Sequence, residues 1–309
     1  RWRDAGGCVP AQLSAEDLER VFTASEFVVE AAIREPALLG DLTAEGELGR
    51  ARAGGEIRAS AMALLEAGND EAGFMDLLRR LRRREMVRIA WRDLTGAAPI
   101  TEVLTELSDL ADAAIESALA FASRLLASRY GQPRSATAES QELVVLAMGK
   151  LGGRELNFSS DIDLVFLYPE AGETDGRRPI ANEDYFTRLG QALVRLLNAR
   201  TAEGFVFRVD LRLRPFGDSG PLVVNFGAFE EYLQKHGRDW ERYAYVKARA
   251  VTGVPAYRML YDEVVRPFVY RRYLDFGVFE SLRDMKEMIA REVARRDLQE
   301  DIKLGPGGI

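Results

Sequence analysis

Two aspartates one residue apart, Asp161 and Asp163, sit in an otherwise apolar run, Asp161-Ile-Asp-Leu-Val-Phe-Leu-Tyr168. In a strand, alternate side chains share a face, so both carboxylates project together while Ile162, Leu164 and Phe166 turn the other way into a core. Neighbouring carboxylates repel, and burying them unpaired is costly. The pair therefore makes sense around a cation, and all-oxygen ligation suits Mg²⁺. A third candidate is Asp210. It lies in Phe205-Val-Phe-Arg-Val-Asp-Leu-Arg-Leu-Arg214, where Phe207, Val209, Leu211 and Leu213 alternate with Arg208, Asp210, Arg212 and Arg214. That alternation predicts a half-buried strand with a charged working face. Three carboxylates from two strands could hold two Mg²⁺ ions bridging a phosphate, stabilising the attacking and leaving oxygens of an in-line displacement. The bland counterpart has Asp161 capping a turn, Asp163 paired with an arginine, and Asp210 paired with Arg208 or Arg212.

Other polar groups cluster around these acids. Gly149-Lys-Leu-Gly-Gly153 lies just ahead of them. It matches neither the Walker A loop nor the dinucleotide-binding glycine pattern. Following a strand, it is either a tight turn or a loop whose glycines (Gly149, Gly152 and Gly153) let backbone N–H groups approach a phosphate. Ser159 and Ser160 either donate to phosphate oxygens or satisfy turn backbone. Arg212 and Arg214 share the face of Asp210, where their forks suit phosphate oxygens or the acids themselves. Trp240, Tyr243 and Lys247 stand at roughly helical spacing. Lys247 could reach a phosphate and an aromatic could stack on a base; the bland reading is a core stripe with a snorkelling lysine.

Composition narrows the chemistry. Cys8 is the only cysteine and His236 the only histidine in 309 residues. Intramolecular disulfides and a Cys/His zinc site are excluded, and a reducing cytoplasm fits. Catalysis must come from carboxylates, Arg/Lys, hydroxyls and a metal, which favours phosphoryl-type chemistry. The net charge, 42 minus 49 or −7, argues against nucleic acid as a general partner. No apolar run reaches membrane-spanning length. A basic run, Arg79, Arg80, Arg82, Arg83, Arg84 and Arg88, interleaves with Leu77, Leu78, Leu81, Met86 and Ile89. It reads as a solvated helix face with arginine stems over apolar surface, or as a contact to an anionic partner or an acidic neighbouring domain. The start at Arg1 and the abrupt Gly-Pro-Gly-Gly-Ile309 end suggest a fragment.

The elements that must position these residues divide the chain in three. Residues 1–134 read as a helical domain. Ser14 caps a first helix, with Asp17 at its third position. A long periodic stretch from Val103 to Leu126 ends at Gly131. After the polar stretch 131–140, residues 135–255 form the catalytic core. It holds a strand at 143–148, the Asp-x-Asp strand, a helix at 183–197, the strand at 205–214, and helices at 225–235 and 239–250. Residues 256–309 form a helical extension, helical to about Glu300, interrupted near Pro267 and Asp275. The fold class is α+β, predominantly helical.

A strand, a glycine turn, Asp-x-Asp on the next strand and a third aspartate on a later strand resemble the DNA polymerase β-like nucleotidyltransferases. The sequences Met148-Gly-Lys-Leu-Gly-Gly-Arg-Glu-Leu-Asn-Phe-Ser-Ser-Asp-Ile-Asp163 and Val209-Asp-Leu-Arg-Leu-Arg-Pro-Phe-Gly217 resemble signatures of the bifunctional glutamine synthetase adenylyltransferase/adenylyl-removing enzymes. Gly237-Arg-Asp-Trp-Glu-Arg-Tyr-Ala244, Pro215-Phe216 and Ser219-Gly-Pro221 resemble their removing half. The resemblance implies a nucleotidyltransferase sheet core flanked by helical domains, with Asp161, Asp163 and Asp210 as Mg²⁺ ligands. The implied reaction is removal of AMP from an adenylylated tyrosine of glutamine synthetase by phosphorolysis, phosphate in and ADP out, in control of nitrogen assimilation. A PII signalling protein is an implied partner. The glycine spacing departs from the superfamily's, and Gly149 fits it better than Gly152-Gly153. ATP-dependent adenylylation of a protein tyrosine, a non-catalytic nucleotide-sensing module and an RNA-modifying nucleotidyltransferase are the alternatives.

Overall fold

The structure, a computed structural model, describes residues 1–68, 70–270 and 276–295. Six helices come first: α1 (Ala15–Ala24), α2 (Glu26–Arg34), α3 (Leu38–Ala44), α4 (Glu56–Ala67), α5 (Glu71–Leu94) and α6 (Ile100–Tyr130). Their ends follow local chemistry. Ser14 Oγ accepts from the Asp17 N–H at 2.9 Å, as the cap signal anticipates, and Asp70 Oδ1 accepts from the Gly73 N–H at 2.8 Å. α6 stops at Gly131, whose φ of 83° is open to glycine.

The remainder is mixed: β1 (Pro133–Ser135), β2 (Val144–Ala147), α7 (Gly149–Gly152), β3 (Ile162–Tyr168), β4 (Gly172–Thr174), α8 (Asn182–Asn198), β5 (Val209–Asp210), β6 (Val223–Asn225), α9 (Phe226–Lys235), α10 (Asp239–Tyr245) and β7 (Arg249–Ala250). Then α11 (Val254–Leu260), a π-helical turn (Tyr261–Val265) and α12 (Arg266–Val269) run on without a break, and α13 (Phe276–Arg295) follows. Pro267 therefore does not interrupt a helix. It lies just past the π-helical turn, where the backbone hydrogen-bond pattern changes without the helix ending. The expected break at Asp275 and the helix beyond Arg295 lie outside the described residues.

β3 is the centre of the sheet. β2 pairs with one edge antiparallel, and β7 lies beyond β2. β5 and β6 lie end to end along the other edge, both parallel to β3. β1 and β4 form a separate antiparallel pair. Ile162, Leu164, Phe166 and Tyr168 enter a core with α6 and α8, whereas Val165 and Leu167 enter a second core under α9 to α12. The first of these cores is continuous from Ile57 to Val251, so it crosses the compositional division at residue 134. A third cluster joins α1 to α3 with Val87, Ala90 and Trp91 of α5.

The basic run on α5 differs from the expected solvated face. Arg79 and Arg88 are fully buried, and Arg83 is nearly so. Arg88 donates to Glu85 at 2.9 Å and to Glu106 at 2.8 Å, and Arg52 from the preceding loop bridges Glu47, Glu56 and Glu85. Arg79 donates to the carbonyls of Met75, Ala199 and Gly204. Arg83 and Arg80 meet Glu203 at 2.7 and 3.1 Å. The acidic contact with the mixed α/β part is thus the alternative that describes this helix. A buried guanidinium needs such partners.

Candidate active site

Register puts two of the three acids side by side. Asp163 of β3 is the direct partner of Asp210 of β5, and Ile162 is the partner of Val209. In adjacent parallel strands, register partners project to the same face. The Ile162 N–H donates to the Arg208 carbonyl at 2.9 Å, which extends this register back towards Asp161 and Arg208. Asp161 precedes the strand, and its carboxylate accepts from Arg208 Nε. Arg208 also donates to the Ser159 carbonyl at 2.9 Å, pinning the loop to β5.

Asp210 is held by Arg212 through the backbone N–H at 2.9 Å and through the guanidinium, whose Nε lies 3.0 and 2.9 Å from the two carboxylate oxygens. That side-chain bond holds the Asp210 carboxyl below the ordinary carboxylate range, against partial burial that raises it. The same local ring explains why the expected ten-residue strand contains only two strand residues. Asp210 accepts from the N–H two positions on, which folds the chain into a turn.

Among the described residues, no three acidic, histidine or cysteine side chains gather closely enough to hold a metal ion. The reason is visible: Asp161 leans to Arg208 and Asp210 to Arg212. The surroundings of Asp163 nevertheless suit a hard cation. Donors there are carboxylate oxygens. A Cβ on Gly149, whose φ is 55°, would stand 2.8 Å from Asp163 Oδ2, so glycine is what lets this turn lie so close to that oxygen. The residues fit Mg²⁺ in donor chemistry, with Asp163 and Asp210 as the neighbouring pair and Asp161 just before β3.

The three glycines have different tasks. Gly149 faces the carboxylate of Asp163. A Cβ on Gly152 would meet the Lys247 carbonyl at 2.2 Å, so its task is close backbone packing. Gly153 packs on the stem of Lys247. Lys247 itself lies in a turn after α10, and its Nζ is 2.6 Å from Glu155. The expected helical stripe fails for this reason. α10 ends at Tyr245, and Trp240 and Tyr243 are 43% and 63% exposed, so they are not core. Ser160 bonds Asn157, satisfying its own loop, and Ser159 is exposed beside Arg208.

Beyond Asp210 the chain opens a pocket of about 560 Å³. Arg212, Arg214, Arg238 and His236 supply cationic or donor groups, and Phe216 and Trp240 supply ring faces. Arg214 donates to the Leu211 carbonyl at 2.9 Å, but its buried Nε has no hydrogen-bond partner. Phe216 adopts a left-handed φ of 61° and sits 4.6 Å from the Tyr232 ring. Such backbone is costly for a residue with a Cβ and clusters at functional sites. Tyr232 gives its O–H to buried Glu241; burial and that bond push its pKa up to about 12, so it stays neutral. Arg238, His236 and Phe216 are residues that sequence reasoning did not place in the site. The removing-half signatures, 215–221 and 237–244, were the available signal, because both border this pocket.

The glutamate-ammonia ligase adenylyltransferase family model matches residues 15–263, across both the helical part and the acidic sheet. The chain belongs to this family. Relatives named bifunctional glutamine synthetase adenylyltransferase/adenylyl-removing enzyme include one from Thioalkalivibrio sulfidiphilus that is 55% identical over 95% of this chain. One from Pseudomonas aeruginosa is 52% identical over 95%, and one from Shewanella loihica is 49% identical over 100%. The chain spans 30%, 30% and 32% of those three proteins, respectively. No helix among the described residues is long and apolar enough to cross a membrane.

Proposed function

We propose that this chain is the adenylyl-removing unit: it transfers AMP from an adenylyl-tyrosine of glutamine synthetase to inorganic phosphate, yielding ADP. The observation that carries the reading is the pairing of Asp163 with Asp210 on parallel strands, flanked by the arginine-rich pocket at 212–241. The segments resembling the removing half line that pocket, and a cationic pocket beside the acids suits an attacking phosphate.

A phosphate oxygen forms a bond to the phosphorus of tyrosine-O-AMP as the bond to the tyrosine oxygen breaks. Tyrosine leaves as a phenolate, with an ordinary pKa of about 10, so it departs more readily than a serine alkoxide would and then takes a proton from water. Phosphate is already anionic and needs no strong base, consistent with a chain whose single histidine, His236, caps α9. Arg212, Arg214 and Arg238 offset the charge of the two phosphate groups as they approach. Asp161, Asp163 and Asp210 are the residues that would hold Mg²⁺, one ion or two, which when bound supplies charge neutralisation at phosphoryl oxygens. In this reading the sheet is a polymerase β-like core, residues 135–255, between helical domains 1–134 and 256–309. The partners are adenylylated glutamine synthetase, phosphate and ADP, with PII as a regulator in the cytoplasm.

Incubating the chain with adenylylated glutamine synthetase, Mg²⁺ and labelled phosphate is expected to give labelled ADP. Transfer of label from ATP to unmodified synthetase, with no phosphate-dependent ADP, would establish the adding reaction instead.

A further inference from the structure

A second cavity, of about 400 Å³, lies between α2, α5 and the loop that carries Ser159 and Ser160. Its volume is within the usual range for a small-molecule site. The wall is largely apolar and aromatic, with Phe27, Phe158 and Phe205 among its residues. Into this wall projects Arg82. Its guanidinium carbon lies 5.4 Å from the ring centroid of Phe27 and 5.5 Å from that of Phe205. Its Nε is buried without a hydrogen-bond partner, and among the described residues no carboxylate pairs with it. Desolvation lowers its pKa to about 10, helped by Arg83. Asp93 also lines the cavity, but it lies eleven residues further along α5, about 16 Å along the helix axis.

The buried arginines on this helix that face the mixed α/β part have found acceptors: Arg79 takes carbonyls and Arg83 takes Glu203. Arg82 is half-buried, and the part of its charge turned from water against two rings, with no counter-charge, is costly. The cost is recovered when an anion from outside supplies the missing charge, and the flanking rings suit a flat body behind that anion.

We propose that this cavity is a binding site for a small anion carried on a planar body, with Arg82 as its charge partner. It is separate from the proposed reaction, and it touches that site at one point: Arg208 lines the cavity while holding Asp161.

The test uses phenyl phosphate as probe and inorganic phosphate as control, with binding followed calorimetrically on this chain. Phenyl phosphate is expected to bind the unaltered protein and to bind Arg82→Met about 10-fold or more weakly, the loss of one charge-assisted bond. Asp163→Asn is expected to leave its binding unchanged, which separates this cavity from the proposed catalytic site. Without ligand, Arg82→Met should melt no lower than the unaltered protein, a result that a structural arginine would not give. Should Arg82→Met fail to fold, Arg82→Lys keeps the charge without the fork and is expected to weaken binding. Unchanged affinity in the folded Arg82 variant, an equally large loss of inorganic phosphate affinity in that variant, or loss of binding in Asp163→Asn instead would overturn the proposal.

Discussion

On α5, Arg88 is wholly buried and gripped by Glu85 and Glu106; beside β5, Arg212 is 75% exposed and grips Asp210 from two residues away. Both are arginine–carboxylate contacts of similar length. They differ in what surrounds them. The α5 pairs bring together residues far apart in sequence (Arg88 with Glu106, Arg83 with Glu203), so they fasten separate parts of the chain. The β5 pairs are local or half in water, so their partners can be exchanged for a phosphate or a cation at little cost. Burial and sequence separation, more than bond length, distinguish a fastening from a site.

The largest effect that would test this contrast belongs to Glu106→Gln. It strips the charge facing Arg88 and weakens the bond to the Arg52 N–H, now 2.8 Å. A loss of about 3–5 kcal/mol in denaturant unfolding is expected for breaking a buried pair from one side. Arg79→Met should cost less, about 1–3 kcal/mol, because it leaves carbonyls of Ala199 and Gly204 short of a donor.

Much of this was legible in sequence, and what was not has a physical cause. Regular periodicity and punctuation reveal α6, its stop at Gly131 and the Ser14 cap, since these signals are local. The apolar face of β3 is equally plain. The strand at 205–214 reads as long because its alternation is real, but Asp210 spends its carboxylate on the Arg212 N–H and turns the chain. β6 and β7, of three and two residues, exist by pairing with β3 and β2 and leave no pattern of their own. Burial of Arg79 and Arg83 depends on a loop about 120 residues away, which no window on α5 can contain. The Asp-x-Asp motif located the acids. The pairing of Asp210 with Arg212 was one of the alternatives the sequence offered; that Asp161 meets Arg208 rather than capping a turn was not legible, because that contact spans 47 residues.

On the exposed side of the comparison, Arg212→Gln should leave stability nearly unchanged. It should instead move the Asp210 titration, followed by carboxyl NMR, upward towards the ordinary carboxylate range. The sign follows from a depressed folded pKa: the Asp210–Arg212 contact is fully present above the unfolded value and is lost as pH falls through the folded one. An unmoved Asp210 titration would mean that Arg212 is not what holds it.

The central claim is that the pair of acids on β3 and β5 is where AMP is transferred. Asp163→Asn addresses it directly, with phosphate-dependent ADP release from adenylylated glutamine synthetase as the readout and thermal unfolding measured on the same sample. The account predicts an unfolding curve like that of the unaltered chain and no ADP above background. ADP release at the unaltered rate from that folded variant would contradict it.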